Sequence, residues 1–335
     1  IGLNYVPTVL QQPFAGAFVD RINKCFIMII TDVLRCVIVA LLVLLYAQGQ
    51  LTALVIAILT LCTSTIEAFR IPAGSAIMPL LLESSHYTVG KAASYSSARV
   101  SQLLGFAASG ALIAWIGSAG VLIIDAATFL ISALLISAIK VKEKRETKEF
   151  GTLQVFTDFK DGLSFLRKSK TVQIISVIGL VINFGLMPLS VFQTPYVVDY
   201  LHKDAKVLSY IKVLMIVGMM LGAFITPKLL KIPKGKLCVI AGVGMGLSLI
   251  CMHITALIPQ TVFMLSLLTI SMITVGVGGG ILNVVIGGCM MATVPKEIMG
   301  RMSGLNAAIM EASMPIGSFL CSALVLKLNV PQMLT

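Results

Sequence analysis

Charged residues are scarce in this sequence: they make up 12% of its 335 residues, about half the share found in soluble domains. Tryptophan occurs once and histidine three times. In contrast, 58% of the residues are hydrophobic, more than the roughly 45–50% of soluble domains. This composition excludes an ordinary soluble domain and predicts an integral membrane protein.

Motifs that mark enzymes and metal sites are also missing from the sequence. Its seven cysteines include no C-x-x-C pair, and it has no H-E-x-x-H, no phosphate-binding G-x-x-x-x-G-K-[ST] and no nucleophile elbow. We therefore expect no disulfide, metal site or cofactor, and no enzymatic activity. A proton gradient acting on a few buried carboxylates is then the simplest source of energy for transport.

Ten apolar stretches are long enough to cross a bilayer. Helices are expected, because a lipid-exposed backbone must satisfy its own hydrogen bonds and no alternating strand pattern is present. The predicted spans are 1–17, 26–46, 51–78, 92–116, 119–139, 171–195, 207–227, 237–257, 261–293 and 302–326.

Basic residues are distributed unequally between the two sides that these spans define. One side carries 18 of the 25 lysines and arginines, and the other carries three. The excess predicts that the first side is cytoplasmic, in a multi-pass protein of the plasma membrane whose central loop lies in the cytoplasm. Topology thus accounts for the net charge of +11, and no nucleic-acid partner is expected.

One long polar segment, 140–170, divides the spans into five and five. We expect an N-terminal helix bundle at 1–139, a basic cytoplasmic linker at 140–170 and a C-terminal bundle at 171–335. Apolar residues recur through the second half of the linker at helical spacing. That half is either an amphipathic helix on the membrane surface or a solvated linker.

The two halves share a weak repeat. "GAFVDRINK" at 16–24 is echoed by "GAFITPKLLK" at 222–231, and "KAASYSSA" at 91–98 by "RMSGLNAA" at 301–308. The long third and ninth spans also correspond, and we expect interruptions at Pro72 and at glycines 278–280. Such a plan is typical of transporters built from parallel repeats.

"GAFVDRINKC" at 16–25 resembles the signature loop G-x-x-x-D-R-x-x-K-R of the major facilitator superfamily, with Cys25 in place of a second basic residue. With "FRIPAGSAIMPLL" at 69–81 and "IDAATFLISALL" at 124–135, the chain most resembles the branch of siderophore exporters and macrolide-efflux proteins. The resemblance implies an all-helical fold of two repeated bundles. It also implies twelve spans, so the first and last are expected to be missing here.

The signature loop suggests a latch. At the end of a helix, Asp20 can accept hydrogen bonds from the backbone amides of a neighbouring helix N-terminus, while Arg21 pairs with a carboxylate. Together with Lys24, these residues would form a cytoplasmic gate, or they serve only to set topology. Gly16 is better explained by close helix packing.

Charges inside the spans are the other candidate site. Asp32 and Arg35 are three residues apart, as are Glu67 and Arg70, so we expect each pair to share one helix face and neutralise itself. "RIPAGSA" resembles a family pattern whose arginine is implicated in proton coupling, which makes Glu67 the first choice for the coupling carboxylate. A static structural ion pair is the alternative.

Four further in-span charges lack such a neighbour: Arg99, Asp125, Lys212 and Glu311. Glu311 is a proton carrier, a counter-charge for a cationic substrate, or a partner for Arg21 or Arg99. Asp125, near the predicted start of its span, is expected to cap or pack.

The predicted function is proton-coupled export of a hydrophobic or amphipathic small molecule, such as a macrolide-like drug or a siderophore, by alternating access. The expected partners are the lipid bilayer, the substrate and protons, with the protein acting as a monomer. A metabolite importer and a transporter-like receptor without turnover are the alternatives.

Overall fold

The computed structural model describes residues 11, 14–139, 141, 152–201, 205–255 and 261–325; most of these residues are helical and none of them lies in a strand. Most of the predicted span 1–17 and most of the first half of the linker lie outside the described residues.

Helices account for nearly all of the described chain, and short turns join several of them. Their bounds are α1 at 14–21, α2 at Lys24–Ala47, α3 at Ala53–Leu81, α4 at Tyr87–Ser137, α5 at Thr152–Lys168, α6 at Lys170–Gly185, α7 at Met187–Pro195, α8 at Ala205–Ile225, α9 at Lys234–Thr255, α10 at Thr261–Thr293 and α11 at Met299–Val325.

The α2–α3 hairpin carries the buried charges Asp32 and Arg35, and a side-chain cap begins each of its two helices. The side chain of Asn23 accepts a hydrogen bond from the amide of Phe26 at 2.9 Å and caps α2. Thr52 caps α3 in the same way through the amide of Val55, at 3.3 Å. Gly49 adopts a φ of 67° in the turn between them, a conformation that favours glycine.

Gly117 divides α4 into two arms. Its φ of 71° lies in the left-handed region, where side-chain-bearing residues are strained, and the helix direction changes there. Residues 87–116 form the first arm and residues 118–137 the second. Asp125 therefore lies inside a helix, two turns past the kink, so the expectation that it caps a helix is wrong.

Seven stretches of the described chain are long and apolar enough to cross a bilayer. They are Lys24–Ala47, Ala53–Leu81, Ala111–Ser137, Lys170–Val198, Val207–Leu229, Lys234–Thr255 and Val262–Thr293. Each coincides with a predicted span to within a few residues at most ends. The predicted span 92–116 and residues 302–325 of the last predicted span are helical too, but they carry more polar side chains.

The expected interruptions of α3 and α10 are wrong, because both helices are continuous. Pro72 is buried inside α3, and a membrane helix tolerates an internal proline when its neighbours satisfy the freed backbone group. The glycines of α10 instead permit close packing. A Cβ added at Gly280 would collide with the backbone of α8 at Met219, so the two backbones touch.

The chain divides into two compact units. The first contains 1–84, 106–176 and 291–312, and the second contains 85–105, 177–290 and 313–335. In the first, Cys25, Ile77 and Ile136 pack together. The predicted division into bundles at 1–139 and 171–335, with a linker at 140–170, stays a prediction.

An extensive apolar core fills the second unit. Leu237, Met252, Leu268 and Met272 are among its most buried side chains. Tyr196 lies in the π-helical turn Tyr196–Tyr200 that follows α7, and its hydroxyl donates to the carbonyl of Met252 at 2.6 Å. This bond satisfies the one polar group that the tyrosine brings into the core.

Candidate functional site

Asp20, at the end of α1, holds the N-terminus of α11. Its Oδ1 accepts from the Gly300 amide at 2.6 Å, and its Oδ2 accepts from the Arg301 amide at 2.9 Å. The Nε of Arg301 donates to the same Oδ2 at 3.3 Å. These amides are among those a helix leaves unpaired in its first turn, and the helix dipole favours a negative charge there.

Two glycines make this contact possible. A Cβ added at Gly16 would collide with the backbone of Gly300 and Arg301, and a Cβ added at Gly300 would collide with the Asp20 carboxylate. The close packing expected of Gly16 is therefore present, and it brings α1 and α11 together where Asp20 reaches the amides. We call Gly16, Asp20, Gly300 and Arg301 the α1–α11 anchor.

The linker helix α5 contacts the same anchor. Asp161 lies 3.9 Å from the Arg301 guanidinium and is 66% exposed, so this ion pair is weak. Gly162 packs against the aliphatic part of Arg301, and the rings of Phe14 and Phe159 lie 5.2 Å apart. The second half of the linker is thus a helix with contacts to protein; its placement on a membrane surface stays a prediction.

The anchor is not repeated in the second half of the chain. Thr226 stands where the repeat would place Asp20, and its buried hydroxyl donates to the carbonyl of Gly222 at 2.7 Å, within its own segment. Lys24 donates from Nζ to the carbonyl oxygen of Asp20 at 3.3 Å. Arg21 ends α1, and its expected pairing with a carboxylate stays a prediction.

Asp32 is the centre of a second cluster. Its side chain is fully buried, and it accepts from Nε of Arg70 at 2.5 Å and from Nη2 at 3.2 Å. Ser132, on the second arm of α4, donates to Oδ2 at 2.6 Å. This bidentate, charge-assisted pairing joins three helices around one carboxylate.

Arg35 is paired with Glu67, and its guanidinium lies 5.5 Å from the ring centre of Phe129. It also interacts electrostatically with Asp125. The ion pairs therefore cross between α2 and α3, with Asp32 on Arg70 and Arg35 on Glu67. We call Asp32, Arg35, Glu67 and Arg70 the crossed pairs.

The expectation that each pair neutralises itself within one helix is wrong. A spacing of three residues places two side chains on one face, but here the facing helix offers each of them the opposite charge with which it pairs. Sequence reasoning also missed Ser132, because a single serine in an apolar span carries no signal of its partner.

The other predicted in-span charges lie apart from the crossed pairs. Arg99 stacks on Tyr95, 4.8 Å from its ring centre, and donates to Gln102 at 2.6 Å. Lys212 is exposed on α8. Glu311 belongs to α11, but its side chain lies outside the described part of the structure. Within that part, no three His, Cys, Asp or Glu side chains are grouped as a metal site would need.

Apolar spans around a set of paired buried charges define a multi-pass α-helical membrane protein with a charged interior, the class to which secondary transporters belong. The profile of the Major Facilitator Superfamily matches residues 1–318. The chain belongs to this family, as its motifs predicted, and is a transporter rather than an enzyme.

Relatives of known sequence agree with this assignment. The chain is 23% identical to macrolide efflux protein A of Streptococcus pyogenes over 333 residues, which cover 98% of this chain and 80% of that protein. It is also 23% identical to macrolide efflux protein A of Enterococcus faecalis over 320 residues, covering 94% of this chain and 96% of that one.

Solved structures show the same fold. The fucose:proton symporter of E. coli is similar with a TM-score of 0.70 and 14% identity, over 99% of this chain and 86% of that one. The human organic anion transporter gives 0.69 and 13%, over 99% and 83%. The predicted major facilitator fold is therefore confirmed.

The α1–α11 anchor predicts a pH dependence. Burial raises the pKa of the Asp20 carboxyl from 3.8 to about 6, because desolvation outweighs the amide hydrogen bonds and the Arg301 cation. The folded protein therefore binds this proton more tightly than the unfolded chain. The resulting stabilisation is present below the ordinary pKa and is lost as the pH rises through about 6.

We expect the melting temperature of the wild type to rise relative to that of Asp20→Asn as the pH falls from about 7 to about 4.5, by an amount equivalent to ~3 kcal/mol at most. Thermal unfolding in detergent at a series of pH values measures the difference. Asp161→Asn, at an exposed carboxylate of the same junction, should show a flat difference. A flat difference for Asp20→Asn as well would contradict the assignment.

The crossed pairs predict which side chains are energetically coupled. A double-mutant cycle with Asp32→Asn and Arg70→Gln should give a coupling energy of roughly 1–3 kcal/mol in the free energy of unfolding. The control cycle, Asp32→Asn with Arg35→Gln, should give a smaller value, although the two residues share a helix. A larger coupling in the control cycle would mean that the pairs form within helices.

Proposed function

We propose that the protein is a proton-coupled exporter of hydrophobic or amphipathic small molecules that works by alternating access. The observation that carries the proposal is the set of crossed pairs, two carboxylates and two arginines within apolar spans, of which Asp32 and Arg35 are buried. Charges in such a place are costly and usually belong to a transport pathway or a proton relay. The macrolide efflux relatives support export as the direction and an amphipathic organic molecule as the substrate.

Proton coupling follows from the charge balance of this set. With both carboxylates ionised, two negative charges face two positive ones. When one carboxylate is protonated, the two arginines face a single remaining negative charge. Protonation of one ion pair therefore changes the electrostatic interactions of the other ion pair. Protonation would thus favour a second arrangement of the set, and a coupling device requires two such states.

Glu67 is the carboxylate that we propose exchanges protons with solution. Its side chain is 38% exposed, whereas that of Asp32 is fully buried and held by Arg70 and Ser132. A proton on Glu67 would release Arg35, which already interacts with Asp32. The ion pair between Asp32 and Arg70 would then weaken, so that protonation of Glu67 changes the contact between α2 and α3.

The α1–α11 anchor is proposed as the cytoplasmic gate. While Asp20 caps α11, the end of α1 and the start of α11 stay together, and the substrate path is closed on that side. Separation would expose Asp20 to water and release its proton, because the carboxyl binds that proton more tightly when buried. Arg21 and Lys24 add positive charge to this cytoplasmic side of the plasma membrane.

Transport in liposomes tests the proposal. Purified protein is reconstituted with an internal pH-sensitive dye, and a macrolide, a lipophilic dye and a catechol siderophore are each added under an imposed proton gradient. We expect at least one compound to drive proton movement in the wild type. We expect Glu67→Gln to lower that movement by about tenfold or more, as removal of a positioned proton carrier does.

Two variants make the result specific. Glu83→Gln changes an exposed carboxylate just beyond α3 and should transport normally. Glu311→Gln tests the alternative carrier and should retain coupling if Glu67 is the carrier. Substrate flux without proton movement in the wild type would contradict the coupling, and no flux of any of these compounds would contradict export.

A further inference from the structure

One face of the first arm of α4 is buried near its N-terminal end and becomes partly exposed further along the helix. Ala92 and Tyr95 are buried against Met219 and Ala223 of α8 and Val284 of α10. Ser96 on the same face is 3% exposed. One turn later, Arg99 and then Gln102 are only half-buried. These two residues therefore lie where the packed seam opens.

Arg99 is held in place by neighbours that leave part of its guanidinium unused. The group stacks on Tyr95 at 4.8 Å, and Nη1 donates to Gln102 at 2.6 Å. Its Nε is buried and has no hydrogen-bond partner, and the same holds for Oγ of Ser96, one turn earlier on that face. Two donors are thus unused within one helical turn.

Arg99 differs from the other cations inside the predicted spans because, among the described residues, it is neither paired with a carboxylate nor fully exposed. Arg35 and Arg70 each bind a carboxylate, and Lys212 is exposed. No carboxylate of the described chain pairs with Arg99. By helical rise it lies about 18 Å from Tyr87, where α4 begins, within the predicted span 92–116.

The chemistry of this arrangement selects an anion. A guanidinium that is stacked and hydrogen-bonded on one side keeps a planar set of N–H donors, which matches the two oxygens of a carboxylate. An adjacent free serine hydroxyl can donate to the same ligand. A cationic ligand would meet an uncompensated positive charge.

We infer that Arg99, with Tyr95, Ser96 and Gln102, binds the anionic group of the transported molecule. The ligand is an amphipathic organic anion whose carboxylate, or a similarly planar oxyanion, meets Arg99 and whose apolar body lies beyond the seam. This inference rests on the proposed transport function, and it narrows the substrate to anions.

A matched pair of dyes tests the charge preference directly. Carboxyfluorescein and rhodamine 6G share a xanthene ring system and carry opposite charges, and fluorescence anisotropy with the purified protein measures the affinity for each. We expect the wild type to bind the anionic dye about tenfold or more tightly than the cationic one. Arg99→Gln should remove that preference.

Three variants separate recognition from folding. Arg99→Lys keeps the cation without the planar donors and should retain part of the preference. Lys212→Gln removes the exposed in-span cation and should leave binding unchanged. The double variant Arg99→Gln with Glu311→Gln should bind carboxyfluorescein no more tightly than Arg99→Gln alone. If the double variant regains the preference for the anionic dye, Glu311 rather than Arg99 governs that preference, and the inference is overturned.

The outcomes distinguish this site from the transport proposal. A wild type that exports a macrolide in liposomes but prefers rhodamine 6G overturns the anion site and leaves export intact. A wild type that binds carboxyfluorescein through Arg99 but moves none of the liposome compounds supports the site and contradicts export. Equal binding of the anionic dye by wild type and Arg99→Gln overturns the inference.

Discussion

Charge that is buried inside a membrane must be compensated, and this constraint organises the first unit of the protein. Each charged side chain at the centre of a lipid-exposed helix would cost ~2.5–3.5 kcal/mol by insertion scales. Placing two such helices so that Asp32 meets Arg70 and Arg35 meets Glu67 compensates all four charges at once. The relative position of α2 and α3 is therefore fixed by electrostatics as well as by packing.

The α1–α11 anchor solves the same problem at the end of a span. The side chain of Asp20 is 2% exposed, and its charge is partly compensated by two backbone amides and one arginine, although desolvation still raises its pKa. This arrangement needs glycine at two positions, and it occurs in only one of the two repeats. The raised pKa of Asp20 therefore belongs to a contact that only the first repeat makes among the described residues.

Much of this could be predicted from the sequence. Apolar length located the spans, the signature loop indicated the family, and the capacity of a terminal Asp to bind helix amides led to the contact of Asp20. The crossed pairs could not be predicted, because a spacing of three residues shows which side chains share a face but not what the facing helix offers. Ser132 and the continuity of α10 depend likewise on neighbours distant in sequence.

The central claim is that the crossed pairs change protonation as one set. Infrared difference spectra of the protein in lipid between about pH 5 and about pH 8 measure these changes in protonation directly, because a protonated carboxyl group absorbs at a different frequency from a carboxylate. We predict a protonated carboxyl band in the wild type that Glu67→Gln reduces to the part contributed by Asp20, whose pKa is about 6, together with a change in the arginine bands. Identical spectra for the two proteins would show that Glu67 never takes up a proton and would contradict the account.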